Sequence, residues 1–288
     1  QELTLQIALG ASRQAAKGYG ALEVEKTYAR ARELCRQIGE TALIFPVLRG
    51  LWGFYFIRAE VQTALELGQE WLTLAQRAQD PAFLLGAHYA LGATSYYLGG
   101  VTSTLGHLEQ GIALYDLQQH RSQAFAYGHD SGVACFSYAA LSFWLLGYPD
   151  QALKKSREAL ALARELAHPT SLALALNFAA NFHSQRREIH LVEERAEAAI
   201  TLAIEQGLPH WAWHGKIWRG MLLLAEQGQT EEAIDQVQQG LADMQALGAR
   251  QGRPGSLSLL AVAYAKAGQT EKALRTVAEA LSFMEETG

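Results

Sequence analysis

The stretch ALKKSREALALARELAH, residues 152–168, decides the fold of this 288-residue chain. Its apolar side chains recur at i, i+3, i+4 and i+7, whereas its lysines and most other charged side chains fall on the opposite face. This spacing predicts an amphipathic helix. The stretch begins with the small residue Ala152, and seven positions later a second small residue, Ala159, is followed by the aliphatic Leu160.

The same pattern occurs seven times along the chain. Its first position is occupied in turn by Val24, Ala64, Thr104, Ala152, Val192, Ala233 and Ala273, so that the steps are 40, 40, 48, 40, 41 and 40 residues. Six of the seven second positions are Gly or Ala, which let two helix backbones approach closely, and the exception is Trp71. A period of this size is typical of stacked helical repeats.

A more apolar helix precedes each copy, so the repeating unit is a helical hairpin. Pro81, Pro169 and Pro209 each lie 17 residues after a first position, where they suit the first turn of the next hairpin. We therefore predict an all-α fold: a right-handed superhelical solenoid of about seven antiparallel helix hairpins, with residues 1–288 forming a single repeat domain.

Two stretches, AHYALGATSYYLGGVTSTLGHLEQGIAL (87–114) and SLLAVAYAKAGQTEKALRTVAEAL (258–281), resemble the tetratricopeptide repeat (TPR) family. They share with that family an aromatic residue on the first helix and a pair of small residues on the second. The family's unit is ~34 residues long, whereas the present unit has about 40. The resemblance implies that the first helix of each hairpin lines an inner groove that binds a protein or peptide partner.

A narrower resemblance concerns LGAHYALGATSYYLG (85–99) and LGYPDQALKKSREALALARELAHP (146–169). These are similar to the C-terminal repeat region of large bacterial signalling proteins that join a nucleotide-cyclase or kinase domain to an AAA-type ATPase. The resemblance implies that the chain is the sensor or scaffold end of such a protein. The start at Gln1 and the end directly after a second helix also fit a fragment of a larger protein.

Composition and motifs exclude several other functions. The chain has 24 basic and 29 acidic residues and a net charge of −5, with no basic cluster for nucleic acid. Its apolar runs are shorter than the ~18 residues of a membrane span. Cys35 and Cys135 form no metal or disulfide motif, and no catalytic or nucleotide-binding motif is present. We expect a cytoplasmic protein that is not an enzyme and has no cofactor and no metal site.

The TPR resemblance places candidate partner-binding residues on the concave face. They are Arg49, Tyr89, Tyr96, Asn177, Asn181, Ser184 and Trp218. Asn177, Asn181 and Ser184 share one helix face, and paired amides can bind both the donor and the acceptor groups of a peptide backbone. The alternative is that these polar side chains bond to neighbouring helices or face water.

The 48-residue step adds about eight residues between Leu117 and Val133. We expect a long polar loop there, and the candidate residues are His120, Arg121, Tyr127, His129 and Asp130. In one interpretation Arg121 or His129 binds an anion or a partner, because loops in a regular scaffold often carry function. In the other, the loop is solvated and its aromatic side chains tuck into the stack.

Three functions remain open. The first is an interaction scaffold or regulatory region, and the second is a solenoid that senses a small molecule or signalling peptide bound inside the superhelix. An enclosed pocket lined by the inserted segment would favour the sensor, and a shallow groove would favour the scaffold. The third is self-association through the last helix, whose apolar stripe consists of Leu274, Val277, Leu281 and Met284.

Overall fold

The structure is a computed structural model that describes residues 1–39, 42–225 and 229–287, apart from the side chain of residue 126. The described residues form fifteen α-helices and no strand. In chain order these are α1 (Glu2–Lys17), α2 (Leu22–Ile38), α3 (Ile44–Ile57), α4 (Val61–Ala78), α5 (Pro81–Tyr97), α6 (Val101–Leu114), α7 (Leu117–Tyr127), α8 (Ser131–Leu145), α9 (Pro149–Leu166), α10 (Pro169–Gln185), α11 (Ile189–Glu205), α12 (Pro209–Ala225), α13 (Thr230–Ala246), α14 (Arg253–Lys266) and α15 (Thr270–Thr287).

Fourteen of these helices pair into the seven hairpins that the period predicts. The hairpins are α1–α2, α3–α4, α5–α6, α8–α9, α10–α11, α12–α13 and α14–α15. The seven first positions of the repeat all lie on the second helix of a hairpin, and each is at most 8% exposed. Pro81, Pro169 and Pro209 are the first residues of α5, α10 and α12. The predicted solenoid fold is therefore confirmed.

The prediction of a long polar loop between Leu117 and Val133 is wrong, because most of that segment forms the additional helix α7. The Asp116 side chain accepts a hydrogen bond from the Gln119 amide at 2.9 Å and so caps the start of the helix. Gly128, with φ of 84°, ends it in the left-handed conformation that glycine adopts at low cost. Helix α7 thus leads directly into the start of α8.

Trp71, the exception among the small second positions, is accommodated by a glycine in the next hairpin. Trp71 lies on α4 and is 3% exposed. It packs against Gly86 of α5 so closely that a Cβ on Gly86 would overlap the indole ring. The small residue that close helix packing needs is therefore present, but on the neighbouring helix.

The superhelix returns on itself within six hairpins. The backbone amides of Arg250 and Gln251, in the segment after α13, both donate to the carbonyl oxygen of Ile57 at the end of α3, at 2.8 and 3.0 Å. Beside them, Gly20 in the α1–α2 turn meets Gly248 backbone to backbone, and a Cβ on either residue would overlap the other. We call this contact the closure. With the closure in place, the first helices of the hairpins surround a central space.

The last helix keeps its predicted apolar stripe exposed. Leu274, Val277, Leu281 and Met284 on α15 are between 43 and 66% exposed. None of the helices in the described ranges combines the length and the apolar character that crossing a membrane would require.

The contact between Gly86 and Trp71 predicts that Gly86→Ala destabilises the fold. The added methyl group has to displace a buried indole ring, and overpacking of this kind costs ~1–3 kcal/mol. The matched control is Gly106→Ala on α6, where a Cβ meets no atom within 4 Å. That change should be neutral or stabilise the helix by ~0.5–1 kcal/mol. Thermal unfolding followed by circular dichroism measures both effects, and equal melting temperatures for the two variants would contradict the packing argument.

Candidate functional site

The central space contains a cavity of about 120 Å³, which we call the interior chamber. The first helices of six hairpins contribute to its wall, together with the α1–α2 turn, the α7–α8 junction and the segment after α13. Its polar lining includes Gln14, Tyr19, Arg49, Tyr89, Tyr127, His129, His210, Trp211, Trp213, His214 and Gln251. A concave, largely aromatic cavity with a few polar groups is typical of a ligand site.

Arg49, on α3, is the charged residue of the chamber wall. It is 6% exposed, and it donates from Nη1 to Ser131 Oγ at 3.0 Å and from Nη2 to the His129 carbonyl oxygen at 3.1 Å. Its guanidinium carbon lies 4.9 Å from the centre of the Tyr127 ring and 5.7 Å from that of Tyr89. Nη2 also lies 3.5 Å from His129 Nε2. All three partners are neutral, and no carboxylate among the described residues forms an ion pair with Arg49.

The α7–α8 junction is fixed by further hydrogen bonds. His129 Nε2 lies 3.0 Å from the Tyr89 hydroxyl. The next residue, Asp130, accepts from the Val133 amide at 2.8 Å and from the Tyr115 hydroxyl at 3.2 Å, so it caps α8. Its own amide donates to Ser171 Oγ on α10 at 2.9 Å. Helix α7 therefore delivers Tyr127 and His129 to the chamber while Asp130 holds the junction in place.

Helix α12 supplies a group of aromatic side chains. Trp213 stacks on His214 with ring centres 3.5 Å apart, and His210 meets the Tyr19 ring edge to face at 5.3 Å. Burial lowers the pKa of His210 to about 4 and that of His214 to about 3, and it holds the pKa of His129 well below its usual value. These imidazoles are neutral at pH 7, so the positive charge of the wall comes from Arg49.

Several polar atoms of the chamber residues are buried without a hydrogen-bond partner. They are Nε1 of Trp211, Nε1 of Trp213, Nδ1 of His210, Nδ1 of His214 and Nε2 of Gln251. Buried polar atoms are usually paired, because leaving one unpaired costs free energy. The indole and amide nitrogens are hydrogen-bond donors. The chamber therefore has an excess of donors.

The asparagine group predicted on the concave face forms internal hydrogen bonds. Asn177 donates from Nδ2 to the Ala173 carbonyl oxygen at 2.8 Å and accepts from Trp218 Nε1 at 3.0 Å. Asn181 Oδ1 accepts from Gln185 Nε2 at 2.8 Å, and Ser184 Oγ donates to the Asn181 carbonyl oxygen at 2.7 Å. A peptide would have to replace these bonds. The role of these residues as a backbone clamp stays a prediction.

Some residues of the two predicted groups, the concave face and the inserted segment, lie together in the structure. Arg49 and Tyr89 of the concave group meet Tyr127 and His129 of the inserted segment in one chamber wall. The other predicted residues lie elsewhere, as follows. Tyr96 packs edge to face on Tyr138, and Asp130 caps α8. His120 is buried beside the Asp116 backbone, whereas Arg121 is exposed. The remaining predicted residues form hydrogen bonds with one another or with nearby helix groups; they are Asn177, Asn181, Ser184 and Trp218.

The sequence analysis missed Tyr19 and the aromatic group of α12. Trp211 and Trp213 of this group are buried. The available signal was the cluster HWAWH, residues 210–214, directly after the helix-starting Pro209. Cys35 and Cys135 are buried free thiols, and in the described parts of the chain no three His, Cys, Asp or Glu side chains form a group that could hold a metal ion.

A second concavity, which we call the outer groove, lies between α2 and α5 on the outside of the first hairpins. It has a volume of about 520 Å³, and its wall includes Arg32, Arg36, Glu70, Arg77 and Phe83. Arg32 forms an ion pair with Glu70 across the groove. Unlike the chamber, this groove has a carboxylate in its wall, although its three arginines outnumber that one glutamate.

No protein-family model matches the chain, and no similar curated protein is found. Solved structures do resemble it. A Rap protein complexed with Competence and Sporulation Factor has a TM-score of 0.74 at 12% identity, over 99% of this chain and 76% of that one. The apo form of RapI has a TM-score of 0.67 at 10% identity, over 99% of this chain and 100% of that one. NprR in complex with its cognate peptide NprX has a TM-score of 0.60 at 11% identity, over 100% of this chain and 82% of that one.

The chain has a TPR-like helical repeat fold. At these identities the likeness establishes the fold alone. It agrees with the seven hairpins and with the resemblance to the TPR family found in the sequence.

The buried histidines predict a fold that is sensitive to acid. Between the ~6.5 of an unfolded histidine and the lowered pKa values of His210 and His214, the unfolded chain binds protons that the folded chain does not. Stability is therefore complete above about pH 6.5 and falls as the pH is lowered, by up to ~1.4 kcal/mol per pH unit for each such histidine. His214→Gln should lose less stability than the wild type between about pH 7.5 and pH 4.5 in urea unfolding.

The control for this measurement is His190→Gln, which changes an exposed histidine on α11. It should follow the pH dependence of the wild type. If His214→Gln also follows the wild type, protonation of the chamber histidines does not limit stability in acid.

Proposed function

We propose that this chain is a non-enzymatic interaction module that binds a peptide segment in the interior chamber. The observation that carries the proposal is that six hairpins and α7 converge on one cavity, several of whose buried polar atoms lack hydrogen-bond partners. A bound peptide, with its alternating donors and acceptors, supplies such partners. The module acts as a scaffold or regulatory region of a larger protein.

One structural neighbour supports a peptide as the ligand, because it is NprR in complex with its cognate peptide NprX. A second neighbour, a Rap protein, is complexed with Competence and Sporulation Factor. Both share the helical repeat fold with this chain at low sequence identity. Peptide binding is thus compatible with a superhelix of this architecture.

The closure suggests how binding regulates the module. A ligand in the chamber touches hairpins that are far apart in the sequence, such as α3 and α12. In a solenoid, small rotations between neighbouring repeats add up to a large movement of the ends. A ligand that fits the closed form better than an open form therefore shifts the chain towards the closed form.

The size of the chamber supports the small-molecule form of the alternative function, a ligand-sensing solenoid that binds a small molecule or a signalling peptide inside the superhelix. The free volume of about 120 Å³ holds a small molecule or one peptide side chain, and a whole peptide requires the chamber to widen. Both functions use the same wall, and the two ligand classes are separated by the binding experiment below.

We also propose the cellular context that the sequence resemblance implies. The chain is then one region of a cytoplasmic bacterial signalling protein that contains a cyclase or kinase domain and an AAA-type ATPase. Its support is the similarity of residues 85–99 and 146–169 to the repeat regions of such proteins.

Affinity selection from a random pentapeptide mixture, read out by mass spectrometry, tests the proposed function. The wild-type chain should retain a subset of peptides, and Gly53→Leu should reduce retention roughly tenfold or more, because the new side chain occupies the chamber. Gly53 lines the chamber, and the nearest atom to a Cβ there is 3.7 Å away, so the site admits a side chain without a backbone clash. Gly106→Leu, on an exposed helix face, is the control.

If the wild type and Gly53→Leu retain equal amounts of peptide, the binding site lies outside the chamber, and the outer groove is the next candidate. If no peptide is retained but a mixture of small metabolites is, the sensor function replaces the peptide function. If neither mixture is retained, the chamber is not a binding site.

Self-association is a second candidate role, and the exposed stripe on α15 favours it. Leu274, Val277, Leu281 and Met284 form one apolar face that the described residues leave uncovered. Pairing of this face with the same face of a second copy would bury it in a two-fold arrangement.

Light scattering over a dilution series measures this role against the 31.5 kDa monomer. The wild type should form dimers that dissociate on dilution, and Leu281→Glu should weaken the dimer roughly tenfold or more, because the change places a charge in an apolar interface. Leu22→Glu is the matched control, since Leu22 and Leu281 are both 57% exposed. A wild type that is monomeric at every concentration would exclude the dimer.

A further inference from the structure

Arg49 is a buried cation that forms no ion pair with the described residues. It is 6% exposed, and the groups within hydrogen-bond distance of its Nη atoms, namely the Ser131 hydroxyl, the His129 carbonyl oxygen and His129 Nε2, are all neutral. Taking a charge out of water costs several kcal/mol unless an opposite charge compensates for it. The ring faces of Tyr127 and Tyr89 attract the guanidinium but carry no formal charge.

The carboxylate of Asp130 attracts the Arg49 guanidinium electrostatically, but its hydrogen bonds are made to other groups. Its two carboxylate oxygens accept from the Val133 amide and the Tyr115 hydroxyl, and it forms no ion pair with Arg49. Asp130 is also not part of the chamber wall, which contains no aspartate or glutamate among the described residues. The charge of Arg49 therefore faces a chamber that has no negative group of its own.

The unpaired atoms of the wall point to the same ligand chemistry. Trp211 and Trp213 are 8 and 5% exposed, and their indole N–H groups have no acceptor. An indole N–H and a guanidinium can only donate hydrogen bonds, so the group that satisfies them must bring acceptors. A carboxylate has two acceptor oxygens and one negative charge, and arginine binds it with two parallel hydrogen bonds.

We propose that the interior chamber recognises a carboxylate of its ligand, with Arg49 as the residue that binds the charge and α12 supplying further donors. This inference rests on the proposed function, because it assigns ligand chemistry to the same chamber. A cavity of about 120 Å³ suits a group of this size. The carboxylate belongs either to the end of a peptide chain or to an acidic side chain.

Four pentapeptide mixtures of otherwise equal composition test the inference on the full chain. One mixture has free C-terminal carboxylates and Asp or Glu side chains, a second has amidated ends with the same side chains, a third has free ends with Asn or Gln instead, and the fourth has neither carboxylate. The wild type should retain the fourth mixture roughly tenfold less than the first. Retention of the second or the third mixture identifies the source of the carboxylate.

Variants of Arg49 test which residue is responsible. Arg49→Met should abolish the preference for the first mixture over the fourth, and Arg49→Lys, which keeps the charge without the planar pair of donors, should retain part of it. Arg58→Met is the control, since Arg58 follows the same helix but pairs with Glu60 and does not line the chamber. The wild-type comparison of the four mixtures stands even where Arg49→Met does not fold.

Each outcome separates the inference from the proposed function. Equal retention of all four mixtures that is still lost in Gly53→Leu overturns the carboxylate inference and leaves the chamber as a peptide site. A preference for carboxylates that Arg49→Met leaves unchanged overturns the role of Arg49. If the wild type retains none of the mixtures, both the inference and the peptide function fail.

Discussion

The architecture depends on the closure, where the carbonyl oxygen of Ile57 accepts from the amides of both Arg250 and Gln251. The contact is made between backbones, and Gly20 and Gly248 allow it because a side chain on either would prevent the approach. A solenoid normally contacts only its neighbouring repeats. Here hairpins separated by more than 190 residues of sequence are joined, and the first helices of six hairpins form the wall of one chamber.

The closure also explains why the polar groups of the chamber cost free energy of folding and why they indicate a function. Arg49 on an open groove would be hydrated and would say little about function. Inside the chamber it is 6% exposed, beside neutral histidines and unpaired indole N–H groups. Features that lower stability are retained where function requires them, and strained or unpaired groups concentrate at such sites. The outer groove, whose Arg32 pairs with Glu70, shows the ordinary arrangement on the same molecule.

The fold could be predicted because its signals are local. Ala152 and Ala159 mark a helix face within eight residues, and Pro169 marks the start of the next hairpin. Helix α7 was missed although its signals, Asp116 and Gly128, were present, because the excess over the period suggested a loop. The chamber could not be predicted from local signals. Arg49 and His129 are 80 positions apart, and they meet only because the rotation from repeat to repeat brings α3 opposite the α7–α8 junction.

Ligand binding in the interior chamber is the central claim, and the indole nitrogens of the chain report on it directly. A ¹⁵N-edited NMR titration of the six tryptophans, with the retained pentapeptide mixture as the probe, observes each N–H after assignment by Trp→Phe variants. We predict that the signals of Trp211 and Trp213 move on binding, while that of Trp71, which packs on Gly86 outside the chamber, stays in place. Peptide binding that leaves Trp211 and Trp213 unchanged would contradict this claim.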